Sequence, residues 1–145
     1  MKQFFSASPE ETEALGAAFA ASLKKGDVVA LEGDLGVGKT AFTRGILAGL
    51  GYKNRVTSPT FSIVNEYPTH IGTVCHFDMY RILSEDALYD IGWEDYLDGE
   101  KILIIEWSEN IRDALPETYQ IVTITYGDEP DSRSITIKEA SSCCS

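Results

Sequence analysis

The stretch Val28-Val29-Ala30-Leu31-Glu32-Gly33-Asp34-Leu35-Gly36-Val37-Gly38-Lys39-Thr40-Ala41 decides the fold of this chain. Residues 28–31 are continuously apolar and too short for a helix, which reads as a buried strand. Residues 33–40 match the pattern G-x-x-x-x-G-K-[ST]. Residues 39–50 then carry a helical pattern that stops at Gly51. The chemistry needs these residue types in this order. The glycines let successive backbone N–H groups turn inward to form an anion nest. Lys39 brings a point charge to the outer phosphates, and the Thr40 hydroxyl can ligate Mg²⁺. The helix aims its positive end at the same place. In a chain of this length the pattern arises by chance with a probability of about half a percent, and the flanking strand and helix lower that further. Gly33, Asp34, Leu35, Gly36, Val37, Gly38, Lys39, Thr40 and Ala41 are therefore the candidate nucleotide-binding residues.

Working outward, Ser8-Pro9-Glu10-Glu11 is a helix start: a capping serine, a proline in the first turn, then acids at the positive end of the dipole. The spacing of Leu15, Phe19 and Leu23 predicts a helix over 8–24. Beyond the phosphate loop the pattern changes. Residues 61–67 and 73–77 read as strands joined by a turn over 68–72. Residues 84–97 read as acidic helix, and 101–106 as a central, fully buried strand. Residues 108–115 suggest a short helix. Residues 120–126 and 133–138 alternate as a closing hairpin. This order predicts an α/β protein, a P-loop NTPase-like three-layer fold with a mixed β-sheet. A single domain over 1–138 and a flexible tail over 139–145 complete the expected organisation.

The composition agrees. A chain of 145 residues with 43% hydrophobic and 24% charged residues is an ordinary globular domain. The N-terminal residues carry no apolar stretch of signal-peptide length, and no run is long enough to span a bilayer. A cytoplasmic protein with no membrane association is expected. Three cysteines, two of them adjacent at Cys143 and Cys144, argue against a disulfide framework. The net charge of −11 is uneven: residues 1–60 hold 7 Lys/Arg against 6 Asp/Glu, and residues 61–145 hold 5 against 17. Such a surface repels phosphate backbones, so direct, tight nucleic-acid binding is not expected. A basic protein partner suits it better.

A phosphoryl-transfer site also needs a second anchor for magnesium and a group that positions the attacking water. Two strand-end carboxylates qualify, Glu106 and Asp78. Glu106 is favoured as the metal ligand, together with Thr40, because its strand is the more thoroughly apolar. Lys39, Asp78 and Glu106 are the candidate catalytic residues. Thr57, Ser58, Pro59 and Thr60 lie between the phosphate-loop helix and the next strand, where a segment sensing the terminal phosphate belongs. Trp107 reads equally well as a packing aromatic, His76 as an ordinary strand histidine, and Arg81 as an ion-pair partner.

Taken together, the residues at 33–40, Thr57-Ser58-Pro59-Thr60-Phe61, His76-Phe77-Asp78-Met79-Tyr80-Arg81 and Ile105-Glu106-Trp107 resemble the bacterial TsaE (YjeE) family from about residue 6 to residue 138. The phosphate loop is shared by many families, whereas the other three segments in this order are specific. The resemblance implies a small ATPase needed for N6-threonylcarbamoyladenosine at position 37 of ANN-decoding tRNAs. It also implies ATP/ADP and Mg²⁺ as cofactors and TsaB and TsaD as partners. On the same ground Thr40 and Glu106 hold Mg²⁺, Asp78 serves hydrolysis and 57–60 acts as a switch. By position in the family pattern, the resemblance also implies that Thr12 and Arg133 lie near the adenine. The Cys143–Cys144 tail matches nothing in the family pattern.

The chain offers no obvious internal arginine finger, which predicts slow hydrolysis alone and stimulation by partners. The alternative is a small-molecule kinase using the same loop. It needs a lid with arginines, but residues 82–111 contain one cation, Lys101. A GTP switch is disfavoured because no N-K-x-D motif is present.

Overall fold

The computed structural model describes residues 2–34, 37–56 and 63–141. Its elements in chain order are β1 (Lys2–Ser6), α1 (Pro9–Ala20), β2 (Val28–Glu32), α2 (Lys39–Gly49), β3 (Val64–Thr69), β4 (Gly72–Asp78), α3 (Glu85–Asp90), α4 (Trp93–Tyr96), β5 (Ile102–Glu106), a 3₁₀ segment (Ser108–Ala114), β6 (Thr118–Tyr126) and β7 (Arg133–Ser141). The strands form one seven-stranded sheet in the order β1-β7-β6-β2-β5-β4-β3. Its centre is parallel, with β2 between β6 and β5 and β4 beyond β5. Both margins are antiparallel: β1 and β6 on β7, and β3 on β4. This is the expected mixed sheet of an α/β fold.

Strand alternation sorts the core onto two faces. Val29, Leu31, Val74, Ile102 and Ile104 join Phe19, Phe42, Ile46 and Leu47 of α1 and α2. Val28, Cys75, Phe77, Leu103 and Ile105 join Leu88, Trp93 and Ile111 on the opposite face. The result is three layers. Phe42, Ile46, Ile104 and Ile105 are fully buried, each worth about 1.5–3 kcal/mol of removed apolar surface.

The two helices of the first layer pack closely because of their glycines. A Cβ at Gly45 would lie 1.9 Å from the carbonyl oxygen of Glu13, and one at Gly16 would lie 2.3 Å from that of Phe42. Phe19 and Phe42 seal the contact with ring centroids 5.7 Å apart. The start of α1 behaves as its sequence dictates: the Ser8 hydroxyl accepts from Glu11 N at 3.2 Å.

Several expected boundaries move. The N-terminal strand β1 is absent from the sequence reading. Lys2–Ser6 is strand because β7 pairs with it in register from Lys2↔Ile137 to Ser6↔Arg133. The expected tail over 139–145 is shortened, since Tyr119↔Ala140 and Thr118↔Ser141 extend the last hairpin. Helix α1 ends at Ala20 rather than near 24. The predicted turn over 68–72 contracts, with Pro68↔Thr73 and Thr69↔Gly72 paired. Pro68 is tolerated there because β3 is an edge strand. The expected helix over 84–97 divides into α3 and α4 at Gly92, whose φ is 75°.

Candidate functional site

The site lies where β2, β4 and β5 end beside the start of α2. Gly33 leaves β2 with φ 150°, and a Cβ there would meet the Ile124 carbonyl oxygen at 2.5 Å and Val37 Cγ1 at 2.8 Å. No larger residue fits that turn. Gly38 caps α2 with no side chain bonded across it, so the helix start keeps its field for an anion. Asp34 is exposed and its carbonyl accepts from Val37 N at 3.1 Å. Val37 is fully buried. Thr40 and Ala41 follow Lys39 in the first turn of α2, both half-buried.

Lys39 opens α2 and is itself buried, at 8% exposure. Such a charge requires a partner, and Glu106 supplies it: Lys39 Nζ lies 3.4 Å from Glu106 Oε1. The other oxygen of Glu106, Oε2, lies 2.6 Å from Nε2 of the fully buried His76. Burial acts to raise the Glu106 pKa, but the His76 hydrogen bond and the nearby charges of His76 and Lys39 outweigh it. The net effect holds the carboxyl below its ordinary value. An ionised carboxylate only accepts, so the imidazole hydrogen is on Nε2 and is donated to Glu106. Among the described residues His76 Nδ1 has no hydrogen-bond partner.

The sheet explains this clustering. In the parallel β4–β5 register Asp78 is opposite Glu106 and His76 opposite Ile104. Residues opposite one another in a sheet project to the same face, so Asp78, Glu106 and His76 all point towards the α2 side. Asp78 is half-buried at the strand end, and its Oδ1 accepts from Tyr80 N at 3.0 Å. The sequence pattern H-x-D on a strand carried the signal for His76, because a period of two places both residues on one face.

Trp107 follows Glu106 at the end of β5. It has φ 60° and ψ 40°, the only positive φ of a non-glycine residue among the described residues. Such a conformation costs of order 1–3 kcal/mol and clusters at functional sites. It turns the chain out of β5 and sets the indole against Tyr80, centroids 4.9 Å apart. Lys39 Nζ is 5.8 Å from the indole centroid.

Arg133, at the start of β7, donates from Nε to the Val37 carbonyl at 2.6 Å, and its guanidinium lies 4.7 Å over the Tyr126 ring. Thr12 packs beside the same loop, its methyl 3.8 Å from where a Gly38 Cβ would stand. Its hydroxyl is bonded to the Ser6 hydroxyl at 2.7 Å. Arg81 is exposed. Leu35, Gly36, Thr57, Ser58, Pro59 and Thr60, with Cys143 and Cys144, lie outside the described residues.

The arrangement can bind a phosphate chain and a hard divalent cation. Among the described residues no group of three or more His, Cys, Asp or Glu is placed to hold a metal. Mg²⁺ takes one or two protein oxygens and completes its shell with water and phosphate. The oxygen donors of Thr40 and Glu106 fit such an ion. Among the described residues no helix is long and apolar enough to cross a membrane.

Comparison with known proteins identifies the family. The family model described as threonylcarbamoyl adenosine biosynthesis protein TsaE matches residues 6–135. The tRNA threonylcarbamoyladenosine biosynthesis protein TsaE of Bacillus subtilis is 45% identical over 130 residues, covering 89% of this chain and 80% of that protein. The protein of the same name from Haemophilus influenzae is 43% identical over 112 residues, covering 77% and 70%. The crystal structure of Bacillus subtilis YdiB superposes with a TM-score of 0.78 at 36% identity, covering 97% of this chain and 85% of the other. With residues 6–135 matched by the family model and a relative 45% identical over 89% of the chain, this chain belongs to the TsaE family of threonylcarbamoyl adenosine biosynthesis proteins.

Proposed function

We propose that this chain is a Mg²⁺-dependent ATPase serving tRNA threonylcarbamoyladenosine synthesis together with TsaB and TsaD. The observation that carries the reading is the buried ion pair of Lys39 with Glu106 at the mouth of the phosphate loop. A buried lysine at a helix start, held beside a strand-end carboxylate, is the machinery for a nucleotide phosphate chain. In this reading Lys39 leaves Glu106 and turns to the outer phosphates. Thr40 and Glu106 would be the residues that hold the cation. Asp78, beside Glu106 in the sheet register, orients the attacking water. Mg²⁺, when bound, neutralises charge developing on the phosphate oxygens. Trp107 and Tyr80 wall one side of the site.

The strongly acidic C-terminal half favours a subunit that docks on partner proteins and leaves RNA contact to them. Partners would also supply a cationic group for full turnover, since the sequence offers no obvious internal arginine finger. Lys39→Ala and Glu106→Ala test the reading in nucleotide titrations and in a reconstituted modification reaction. Lys39→Ala is expected to weaken ADP and ATP binding, and Glu106→Ala to impair chiefly Mg²⁺-dependent hydrolysis. Unchanged modification with both variants would separate this site from the pathway. ATP hydrolysis by the lone chain at full speed, unaffected by TsaB and TsaD, would overturn the partnership.

A further inference from the structure

We infer that His76 is a positioning residue: it locks one oxygen of Glu106 so that only the other faces the nucleotide site, first towards Lys39 and then towards the cation. The inference rests on the proposed Mg²⁺-nucleotide reading and adds a residue to it. Three observations carry it. The two oxygens of Glu106 are divided between two partners, Oε2 to His76 Nε2 at 2.6 Å and Oε1 to Lys39 Nζ at 3.4 Å. His76 has no exposed surface, so it touches neither solvent nor ligand directly. Its second nitrogen has no partner among the described residues.

The last point separates a positioning role from a packing role. Among the described residues the one hydrogen bond of this buried ring runs from Nε2 to the Glu106 carboxylate, and an apolar side chain would fill the same place on β4. What an apolar side chain would lose is the N–H aimed at Glu106. A free carboxylate has broad rotational freedom about its terminal torsion. Pinning Oε2 leaves Oε1 as a single, oriented donor. Mg²⁺ demands near-ideal octahedral directions and is held by few protein oxygens, so orientation of that oxygen governs affinity. A hydrogen-bonded partner behind a metal-ligating carboxylate typically contributes 10–100-fold in metal affinity.

The test measures ADP binding by calorimetry in excess EDTA and again in excess Mg²⁺, for the wild-type chain, His76→Phe and His76→Gln. The wild type is expected to bind ADP more tightly with Mg²⁺. His76→Phe keeps its EDTA affinity and loses about tenfold or more of the Mg²⁺ gain, and His76→Gln, which still donates, recovers part of it. A general packing defect would weaken both conditions together. If His76→Phe does not fold, imidazole ¹⁵N–¹H spectra of the native chain decide, since it contains only two histidines. The hydrogen is expected to stay on Nε2 of His76 before and after Mg²⁺–ADP is added. A full Mg²⁺ gain in His76→Phe, or loss of that Nε2–H on Mg²⁺–ADP binding, overturns the inference alone. No Mg²⁺ gain in the wild type overturns the site reading beneath it as well.

Discussion

Substituting Glu106→Gln should tighten metal-free nucleotide binding while abolishing the benefit of magnesium. Glutamine keeps the shape of the side chain and can still accept from His76, so the packing around it is kept. What disappears is a negative charge 3.4 Å from Lys39 Nζ. At an effective dielectric constant of about 20, two unit charges at that distance attract by about 5 kcal/mol. Most of this is offset by the water both groups have surrendered, since their side chains are only 8% and 11% exposed. A net pair energy of roughly 1–2 kcal/mol remains. Lys39 must give that up when it turns to a phosphate, and the incoming phosphate must also approach the carboxylate. In EDTA the variant should therefore bind ADP about 5- to 30-fold more tightly than the wild type. In excess Mg²⁺ the wild type should gain and the variant should not. Titration calorimetry in the two buffers reads both effects. If Glu106→Gln binds ADP in EDTA no more tightly than the wild type, Lys39 is not held back by Glu106 and the reasoning fails.

Other expectations follow from the same coordinates. Burial first, with a smaller contribution from the charge of Glu66, raises the Cys75 thiol to about 12. At pH 8 only about one thiol in ten thousand is then ionised. In a Cys143→Ser/Cys144→Ser background a maleimide should label Cys75 only after unfolding, and rapid labelling of the native chain would contradict its burial. Glu106 is held below its ordinary pKa, so it stabilises the nucleotide-free fold above about pH 4.3 and loses that contribution as pH falls through its lowered value. Urea midpoints between pH 6 and 3 should fall less steeply for Glu106→Gln, and parallel slopes would show that the pair adds nothing. Trp107 lies 5.8 Å from Lys39 Nζ, so a Trp93→Phe chain should change its indole emission on adding ADP, and a Trp107→Phe chain should stay silent. Equal responses from both would place Trp107 away from the nucleotide. Gly45→Ala should destabilise by about 1–3 kcal/mol in urea, despite alanine's better helix propensity, because its Cβ would meet Glu13 O at 1.9 Å. A stabilised variant would mean that α1 and α2 can separate freely.

The local features were legible because each is written in a short window. The phosphate loop needs its glycines, lysine and threonine at set spacing. The 102–106 strand is apolar at each of its first four positions, as a strand covered on both faces must be. The start of α1 carries its capping serine and first-turn proline. Long-range partners were not legible. Lys2–Ser6 has too weak a pattern to declare itself and becomes strand only because β7 lies beside it. Residues 139–141 are polar enough to read as tail until β6 is there to pair with them.

The same division holds at the site. The sequence alone named the residues expected to serve a phosphate and a hard cation: Lys39 and Thr40 in one loop, Asp78 and Glu106 at two strand ends. It also determined, through four short segments, which family these residues resemble. Only the tertiary structure decided how they meet. Placing β4 directly against β5 brings Asp78 level with Glu106 and lets His76, 30 residues away in the chain, bond one oxygen of that carboxylate. Docking α2 over the same face delivers Lys39 to the other oxygen. A charge buried at that point is stable only with its partner, and the partner's identity depends on strand order. Strand order follows from packing between distant segments, which no window of sequence contains.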